Sequence, residues 1–129
     1  MNILIDSDIL IEVSRGRNEK VIEDWTRLGA SKAGLMCSPV TIAEIWHGAL
    51  APEHNVLERL FSALLCASID SSIGRLAGDY LRRFHRSHGV ELGDALIGAT
   101  TAIHGAALWT LNRKHYPMRE VRFWDHALR

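Results

Sequence analysis

Acidic residues stand at three points where an apolar segment of the sequence meets a turn. Asp6 directly follows the apolar run 2–5. Glu44 and Asp94 each lie near the start of an apolar, helix-like segment. Mg²⁺ prefers oxygen ligands and is usually held by a few carboxylates together with several retained waters. The three acids therefore form a candidate site for a hard divalent cation, provided that the fold brings them together.

Each acid also has a purely structural interpretation. An Asp at the end of a strand, such as Asp6, is typical of an N-cap or turn residue. Thr41 and Glu44 fit a capping box, in which the Glu side chain bonds back to the N-cap amide. Asp94 follows Gly93 and is expected as an N-cap or first-turn residue, stabilised by the helix dipole. Taken singly, each acid fits its structural interpretation better, so only the set of three argues for a site.

The apolar pattern predicts alternating strands and helices along the whole chain. Strands are predicted at 2–5, 34–37, 65–69 and 106–110. Helices are predicted at 7–15 (capped by Ser7 or Asp8), 18–28, 41–50, 56–64, 71–88 and 94–104, several of them ending at a glycine. This alternation is typical of an α/β fold in which a mainly parallel sheet of about four to five short strands has helices on both faces. We expect one domain covering residues 1–129.

Composition narrows the class of protein. Lys plus Arg and Asp plus Glu number 15 each, so a strongly basic nucleic-acid binder is not indicated, and any RNA-binding surface requires an uneven charge distribution. The two cysteines, Cys37 and Cys66, lack metal-ligand spacing and are predicted to be small buried apolar residues. With neither a signal-peptide pattern nor a long apolar run, we expect a cytoplasmic protein with no membrane association.

Four motifs, in order along nearly the whole chain, resemble those of the PIN-domain family and, within it, the VapC-like toxins. Residues 3–11 resemble the family's opening strand and its first acid. Residues 38–49 resemble its second acidic motif, which ends in Gly-Ala, and residues 92–99 resemble the Asp that opens an Ala-rich helix. Residues 110–116 resemble its Thr-x-Asn/Asp segment with a downstream aromatic residue.

This resemblance implies an endoribonuclease that depends on Mg²⁺, with Mn²⁺ as an alternative ion. Asp6, Glu44, Asp94 and Asn112 would be the catalytic residues, and Asp6 and Asp94 would be the direct metal ligands. Asn112 stands where many members have a fourth acid, which leaves open whether one or two ions bind. Asp8 is expected to face the first helical turn rather than compensate for Asn112.

The resemblance also assigns roles around the acids. Thr110 and Asn112 are expected to hydrogen-bond the phosphate or orient an acid. Arg113, Lys114 and His115 are expected to bind flanking phosphates of the RNA, because an all-acid pocket would otherwise repel it. The arginines between residues 75 and 86 are interpreted as an ordinary solvated helix face, and the four tryptophans as core or interface residues.

The implied partners are an RNA substrate, a small antitoxin protein that neutralises the toxin, and a second copy of the chain in a homodimer. Operator DNA would be bound only through the antitoxin complex. Two alternatives remain, an RNA-processing nuclease with no toxin role and a partner-binding module with little catalysis. A haloacid-dehalogenase-like phosphatase that uses Asp6 and Asp8 does not match, because it also requires a late acidic pair at a strand end and only Glu120 and Asp125 follow Lys114.

Overall fold

Parallel strands form the centre of this computed structural model, which describes residues 1–125. Within those residues the sheet has five strands in the order β3-β2-β1-β4-β5, and every neighbouring pair is parallel. The strands are β1 (Asn2–Ile5), β2 (Gly34–Cys37), β3 (Leu65–Cys66), β4 (Ala107–Trp109) and β5 (Arg122–Phe123). The predicted mainly parallel sheet is therefore confirmed.

Helices cover both faces of the sheet. They are α1 (Ser7–Arg15), α2 (Glu19–Gly29), α3 (Pro39–Gly48), α4 (His54–Ser62), α5 (Ser71–His88) and α6 (Leu92–Ile103), with short 3₁₀ turns at Ala51–Glu53 and Arg113–His115. Successive residues of β1 point to opposite faces. Leu4 joins the core formed with α5 and α6, while Ile3 and Ile5 join the core formed with α1, α2 and α4.

Several helices begin or are capped differently from the sequence prediction. Asp6, not Ser7 or Asp8, is the N-cap of α1. The helix predicted at 41–50 begins at Pro39, because the Ser38 hydroxyl accepts a hydrogen bond from the Val40 amide and proline suits the first helical position. The helix predicted at 94–104 begins at Leu92.

The edges of the sheet also differ from the prediction. The strand predicted at 65–69 is limited to Leu65–Cys66, and no segment was predicted for the fifth strand, β5. Because β3 is an edge strand, Cys66 is exposed, so its predicted burial is wrong, whereas Cys37 on β2 is buried as predicted. No helix among residues 1–125 is both long and apolar enough to cross a membrane.

The strand order changes direction at β1. The chain proceeds outward from β1 to β2 and β3, and then returns through α5 and α6 to β4 on the other side of β1. In open parallel sheets of this kind, ligands bind outside the carboxyl ends of the strands where the order reverses. The residues that follow β1 and β4 are therefore placed at the crevice where a functional site is expected.

Candidate functional site

Asp6 occupies the carboxyl end of β1 and is held there from several directions. One carboxylate oxygen, Oδ1, accepts a hydrogen bond from the Ser7 amide at 2.8 Å, which makes Asp6 the cap of α1. The other oxygen, Oδ2, accepts hydrogen bonds from the Thr110 hydroxyl at 2.9 Å and from the Tyr116 hydroxyl at 2.8 Å. Its capping role is thus confirmed, and the same side chain is also fixed in position at the crevice.

Asp8, in the first turn of α1, binds the segment that follows β4. Its Oδ2 accepts hydrogen bonds from the Leu111 amide and the Asn112 Nδ2, both at 3.0 Å, and lies 3.2 Å from the Thr110 hydroxyl. Its Oδ1 is buried and has no hydrogen-bond partner among residues 1–125. The expectation that Asp8 faces its own helical turn is therefore wrong, because the turn after β4 offers donors that the helix does not.

Glu44 and Asp94 approach the same crevice from α3 and α6. Because α3 begins at Pro39, Glu44 lies in its second turn and does not close the predicted capping box. A Cβ on Gly93 would lie 3.5 Å from Glu44 Oε2, so the start of α6 passes close to this carboxylate. Asp94 lies in the first turn of α6, where its Oδ2 accepts a hydrogen bond from the Glu91 amide at 3.1 Å, as its structural interpretation predicted.

These side chains line one cavity of about 210 Å³, here called the acidic pocket. Its lining residues are Asp6, Ser7, Asp8, Glu44, Asp94, Ile97, Asn112, His115 and Tyr116. The fold therefore brings together the acids predicted from the sequence, Asn112 and His115, and it adds Asp8 and Tyr116. His115 Nδ1 lies 3.7 Å from Asp94 Oδ1 and gives the pocket positive charge when it is protonated.

The carboxylates of the acidic pocket destabilise one another's charged forms. Burial raises the pKa of Asp8, and the charge of Asp6 raises it further. Desolvation raises the pKa of Glu44, and the charges of Asp6 and Asp94 raise it further. Desolvation also raises the pKa of Asp94, although the hydrogen bond from the Glu91 amide acts in the opposite direction. Burial and the adjacent Asp6 also raise the pKa of Tyr116, so its hydroxyl keeps the proton that it donates. A bound cation would relieve this repulsion.

The oxygen atoms that line the acidic pocket are suitable ligands for a hydrated hard cation. Within residues 1–125, no three His, Cys, Asp or Glu side chains converge closely enough to form a complete metal cluster. Mg²⁺ does not require such a cluster, because it is typically bound through one or two carboxylates and keeps several waters. The oxygen-rich lining and the buried, unpartnered Asp8 Oδ1 agree with that mode of binding.

The predicted phosphate-binding residues are only partly brought to the acidic pocket. His115 lines it, whereas Arg113 and Lys114 do not. Arg113 instead pairs with Asp125 at 3.2 Å and lies over the Phe123 ring, 5.0 Å from its centroid. Lys114 is exposed on the same 3₁₀ turn. Thr110 directs its hydroxyl to Asp6, which matches the predicted orientation of an acid.

Tyr116, like Asp8, has a role in this pocket that sequence analysis missed. It was noted only as the aromatic residue downstream of Asn112, yet its hydroxyl binds an acid 110 positions earlier in the chain. No local pattern signals such a contact, because it depends on how β4 and the turn after it are placed beside β1. The arginine-rich face of α5 is solvated as predicted, and Arg82 and Arg83 both pair with Asp79.

The fold and the pocket define a doubly wound α/β domain with an acid-lined crevice where its strand order reverses. The family model described as "PIN domain" matches residues 3–122. The chain therefore belongs to the PIN-domain family.

Curated relatives and solved structures agree with this assignment. The chain is similar to Ribonuclease VapC10 of Mycobacterium tuberculosis, with 38% identity over 119 residues that cover 92% of this chain and 88% of the relative. Ribonuclease VapC19 of the same species is 31% identical over 116 residues, covering 89% and 92%. The fold resembles VapBC2 of Rickettsia felis bound to a promoter DNA fragment, with TM-score 0.81, 18% identity and coverage of 97% and 100%. It also resembles DNA-bound VapBC of Salmonella typhimurium, with TM-score 0.79, 21% identity and coverage of 97% and 98%.

Proposed function

We propose that this protein is an endoribonuclease that hydrolyses RNA phosphodiester bonds with the help of Mg²⁺, for which Mn²⁺ can substitute. The observation that carries this proposal is the convergence of Asp6, Asp8, Glu44 and Asp94 on one pocket at the reversal point of the sheet. The relatives named as ribonucleases, at 38% and 31% identity, support the choice of RNA as substrate.

In this mechanism Asp6 and Asp94 would hold the cation, and Glu44 lines the same pocket. When bound, a divalent cation acts as a Lewis acid on the phosphate and lowers the pKa of a coordinated water. The hydrogen bonds from Thr110 and Tyr116 fix Asp6 in one orientation. Glu44, whose pKa is raised, accepts the proton of the attacking water at a carboxylate oxygen.

Residues at the border of the pocket bind the RNA. Asn112 donates its side-chain amide to Asp8, so its carbonyl oxygen is left for a water or the substrate. His115 contributes positive charge beside Asp94 when it is protonated. Arg113 and Lys114 lie on the same 3₁₀ turn. They would bind phosphates that flank the cleaved bond, Arg113 in exchange for its ion pair with Asp125.

The biological role we propose is that of the toxin in a toxin–antitoxin pair, with residues 1–129 acting as one cytoplasmic ribonuclease domain. A small antitoxin neutralises it, the toxin forms a homodimer, and operator DNA is bound only through the antitoxin complex. The solved VapBC complexes that share the fold support this role. Exposed apolar side chains such as Leu50, Val56 and Leu92 are available for protein contacts.

Cleavage of total RNA by the purified protein tests the enzymatic proposal. We expect discrete cuts with Mg²⁺ or Mn²⁺, none with EDTA, and none with Asp6→Asn or Asp94→Asn. Glu58→Gln is the matched control, because Glu58 is an exposed acid outside the acidic pocket and undergoes the same chemical change. If folded protein free of antitoxin makes no metal-dependent cuts, the partner-binding alternative replaces the nuclease.

Growth of cells that express the chain separates a toxin from a processing nuclease. A toxin arrests growth, and co-expression of a short neighbouring open reading frame relieves the arrest. The Asp94→Asn variant is expected to be harmless in the same cells. Normal growth with an active nuclease would favour the RNA-processing alternative.

A further inference from the structure

A second and larger cavity lies beside the acidic pocket along the carboxyl edge of the sheet. This cavity, here called the α2 cleft, has a volume of about 410 Å³ and lies between α2 and the residues that follow β4 and β5. Its apolar wall includes Val21, Trp109, Leu111 and Trp124. Leu111 remains 51% exposed at the cleft, so an apolar surface is accessible there to a flat ligand.

Asp24 projects into the α2 cleft from the buried side of α2. It is only 8% exposed and lies on the same helical face as Val21 and Leu28, which are core residues. Within residues 1–125 its carboxylate has neither a hydrogen bond nor an ion pair. Among residues 1–125, the fully buried side-chain atoms that lack a hydrogen-bond partner do not include the Asp24 oxygens, so these oxygens open into the cleft. A ligand that brings hydrogen-bond donors can therefore reach them.

Thr110 connects the α2 cleft to the acidic pocket. It lines the cleft, and its hydroxyl donates to Asp6 in the neighbouring pocket at 2.9 Å. The two cavities are therefore separated by about one residue. Two cationic side chains, Lys20 and Arg113, also line the cleft, together with Asp125, which pairs with Arg113 at 3.2 Å. An RNA strand whose scissile phosphate lies in the acidic pocket would place a neighbouring base at the cleft and its phosphates beside these cations.

We propose that the α2 cleft binds a guanine base of the RNA next to the scissile phosphate and that Asp24 recognises its Watson–Crick edge. This inference rests on the proposed nuclease function. An ionised carboxylate only accepts hydrogen bonds, and it has two oxygens for a bidentate pair. Guanine presents two adjacent donors, N1–H and N2–H. Adenine and cytosine have an acceptor beside their amino group, and uracil has acceptors on both sides of N3–H. In each of these bases an acceptor atom would face one carboxylate oxygen of Asp24 and repel it.

Cleavage of a randomised RNA pool by the parent protein and by Asp24→Asn tests this assignment. We expect the parent to favour guanine at one position flanking the cut. Replacing that guanine with inosine, which lacks the N2 amino group, should lower the cleavage rate by on the order of ten-fold or more. Asp24→Asn should cut the same bonds with little preference for guanine over inosine. Glu23→Gln is the matched control, because Glu23 is the exposed neighbour of Asp24 on the same helix, and it should keep the parental preference.

A binding measurement without turnover separates this inference from the nuclease proposal. Trp109 and Trp124 line the α2 cleft, so their fluorescence can report guanosine 5′-monophosphate binding. The parent should respond more strongly to this nucleotide than to inosine 5′-monophosphate, and Asp24→Asn should respond equally to both. Active parent protein with no guanine preference, or with a preference that survives in folded Asp24→Asn, would overturn the assignment of the cleft. Absence of all metal-dependent cutting would instead overturn the nuclease.

Discussion

Asp6 depends on side chains from the other end of the chain for its orientation. Its Oδ2 accepts hydrogen bonds from Thr110 and Tyr116, which are 104 and 110 positions away in the sequence. Tyr116 is 3% exposed, so no water replaces its hydroxyl without rearrangement. A carboxylate that must hold a cation in one geometry benefits from partners that restrict its rotation. Tyr116 is therefore a positioning residue in the proposed mechanism.

The substitution Tyr116→Phe tests that role. Removing the hydroxyl leaves Asp6 with one fewer buried partner, so we expect the free energy of unfolding to fall by about 1–3 kcal/mol. The rate of RNA cleavage should fall at saturating substrate, with KM changed much less, because the substitution alters the geometry of the acid and not the RNA-binding surface. Urea unfolding and cleavage kinetics measure the two effects.

Tyr80→Phe is the matched control for this substitution. The Tyr80 hydroxyl donates to Glu120 at 3.2 Å from a fully buried ring, outside the acidic pocket. Tyr80→Phe should have a lower free energy of unfolding than the parent, but the folded variant should cleave RNA at the parental rate. Equal cleavage rates for Tyr116→Phe and the parent would show that the hydroxyl serves only the fold.

The sequence predicted those parts of the site that depend on local position. Asp6, Glu44 and Asp94 stand at strand ends or helix starts, and such positions meet at one edge of a parallel sheet. Asp8 and Tyr116 could not be predicted in this way, since their partners are set by the parallel register of β1 with β4 and by the turn after β4. Asp24 carried a local signal that was overlooked, namely an acid on the apolar face of α2.

The helices that carry the acids are positioned by their first turns. Ser38 is fully buried, and its hydroxyl accepts a hydrogen bond from the Val40 amide at 3.1 Å, which starts α3 two residues before Thr41. The capping box predicted for Thr41 and Glu44 does not form, because the helix is already capped by Ser38 and both residues lie inside it. As a result Glu44 is free to face the acidic pocket.

Loss of that cap provides a test at the level of the helix. Ser38→Ala should lower the free energy of unfolding by about 1 kcal/mol, the usual cost of removing an N-cap side chain. Cleavage should also weaken, because fraying of the first turn of α3 displaces Glu44. Ser14→Ala is a suitable comparison, since the Ser14 hydroxyl donates to the Ile11 carbonyl within α1 and caps no helix start. A drop in stability for Ser14→Ala as large as that for Ser38→Ala would contradict the assigned cap.

The edge of the sheet explains the different environments of the two cysteines. Cys37 on β2 is in register with Cys66 on the edge strand β3, but only Cys66 is exposed. Burial raises the pKa of the Cys37 thiol to about 12, and the adjacent Cys66 contributes to this increase. Sequence pattern did not reveal the difference, because both residues lie in short apolar runs and only the strand order identifies the edge.

Thiol alkylation of the native protein at neutral pH tests this assignment. We expect one fast reaction, at Cys66, and a second reaction at Cys37 only after unfolding, since the thiolate is the reactive form. Peptide mapping by mass spectrometry identifies the modified residue. In Cys66→Ala the fast reaction should disappear; modification of Cys37 at the same rate as Cys66 would contradict the buried position of β2.

At the scale of the whole molecule, a net charge of zero conceals an uneven distribution. Among residues 1–125, four acids line the acidic pocket with only His115 as a basic lining residue, whereas Arg82, Arg83 and their neighbours stand on the solvated face of α5. The composition alone excluded a uniformly basic RNA-binding surface. It could not show that the fold concentrates negative charge at one crevice, because that depends on the strand order.

This concentration of charge makes the stability of the metal-free protein depend on pH. The pKa values of Asp8, Glu44 and Asp94 are raised in the folded state, so the folded protein binds these protons more tightly than the unfolded chain. The stabilising contribution of these groups is fully present below their unfolded pKa values, near pH 4, and is lost as the pH rises through the raised folded values. At neutral pH these charged carboxylates therefore lower the free energy of unfolding of the metal-free protein.

A divalent cation should reverse this effect, because it binds the charged carboxylates of the folded protein and so competes with their protons. We expect the increase in Tm caused by Mg²⁺, measured against EDTA, to be large at pH 7 and to shrink towards pH 4. In EDTA at pH 7, Glu44→Gln should melt above the parent, since one repelling charge has been removed, and Glu58→Gln should not. Thermal scans across this pH range measure each shift. An equal Mg²⁺ effect at both ends of the range would mean that the cation binds somewhere other than the acidic pocket.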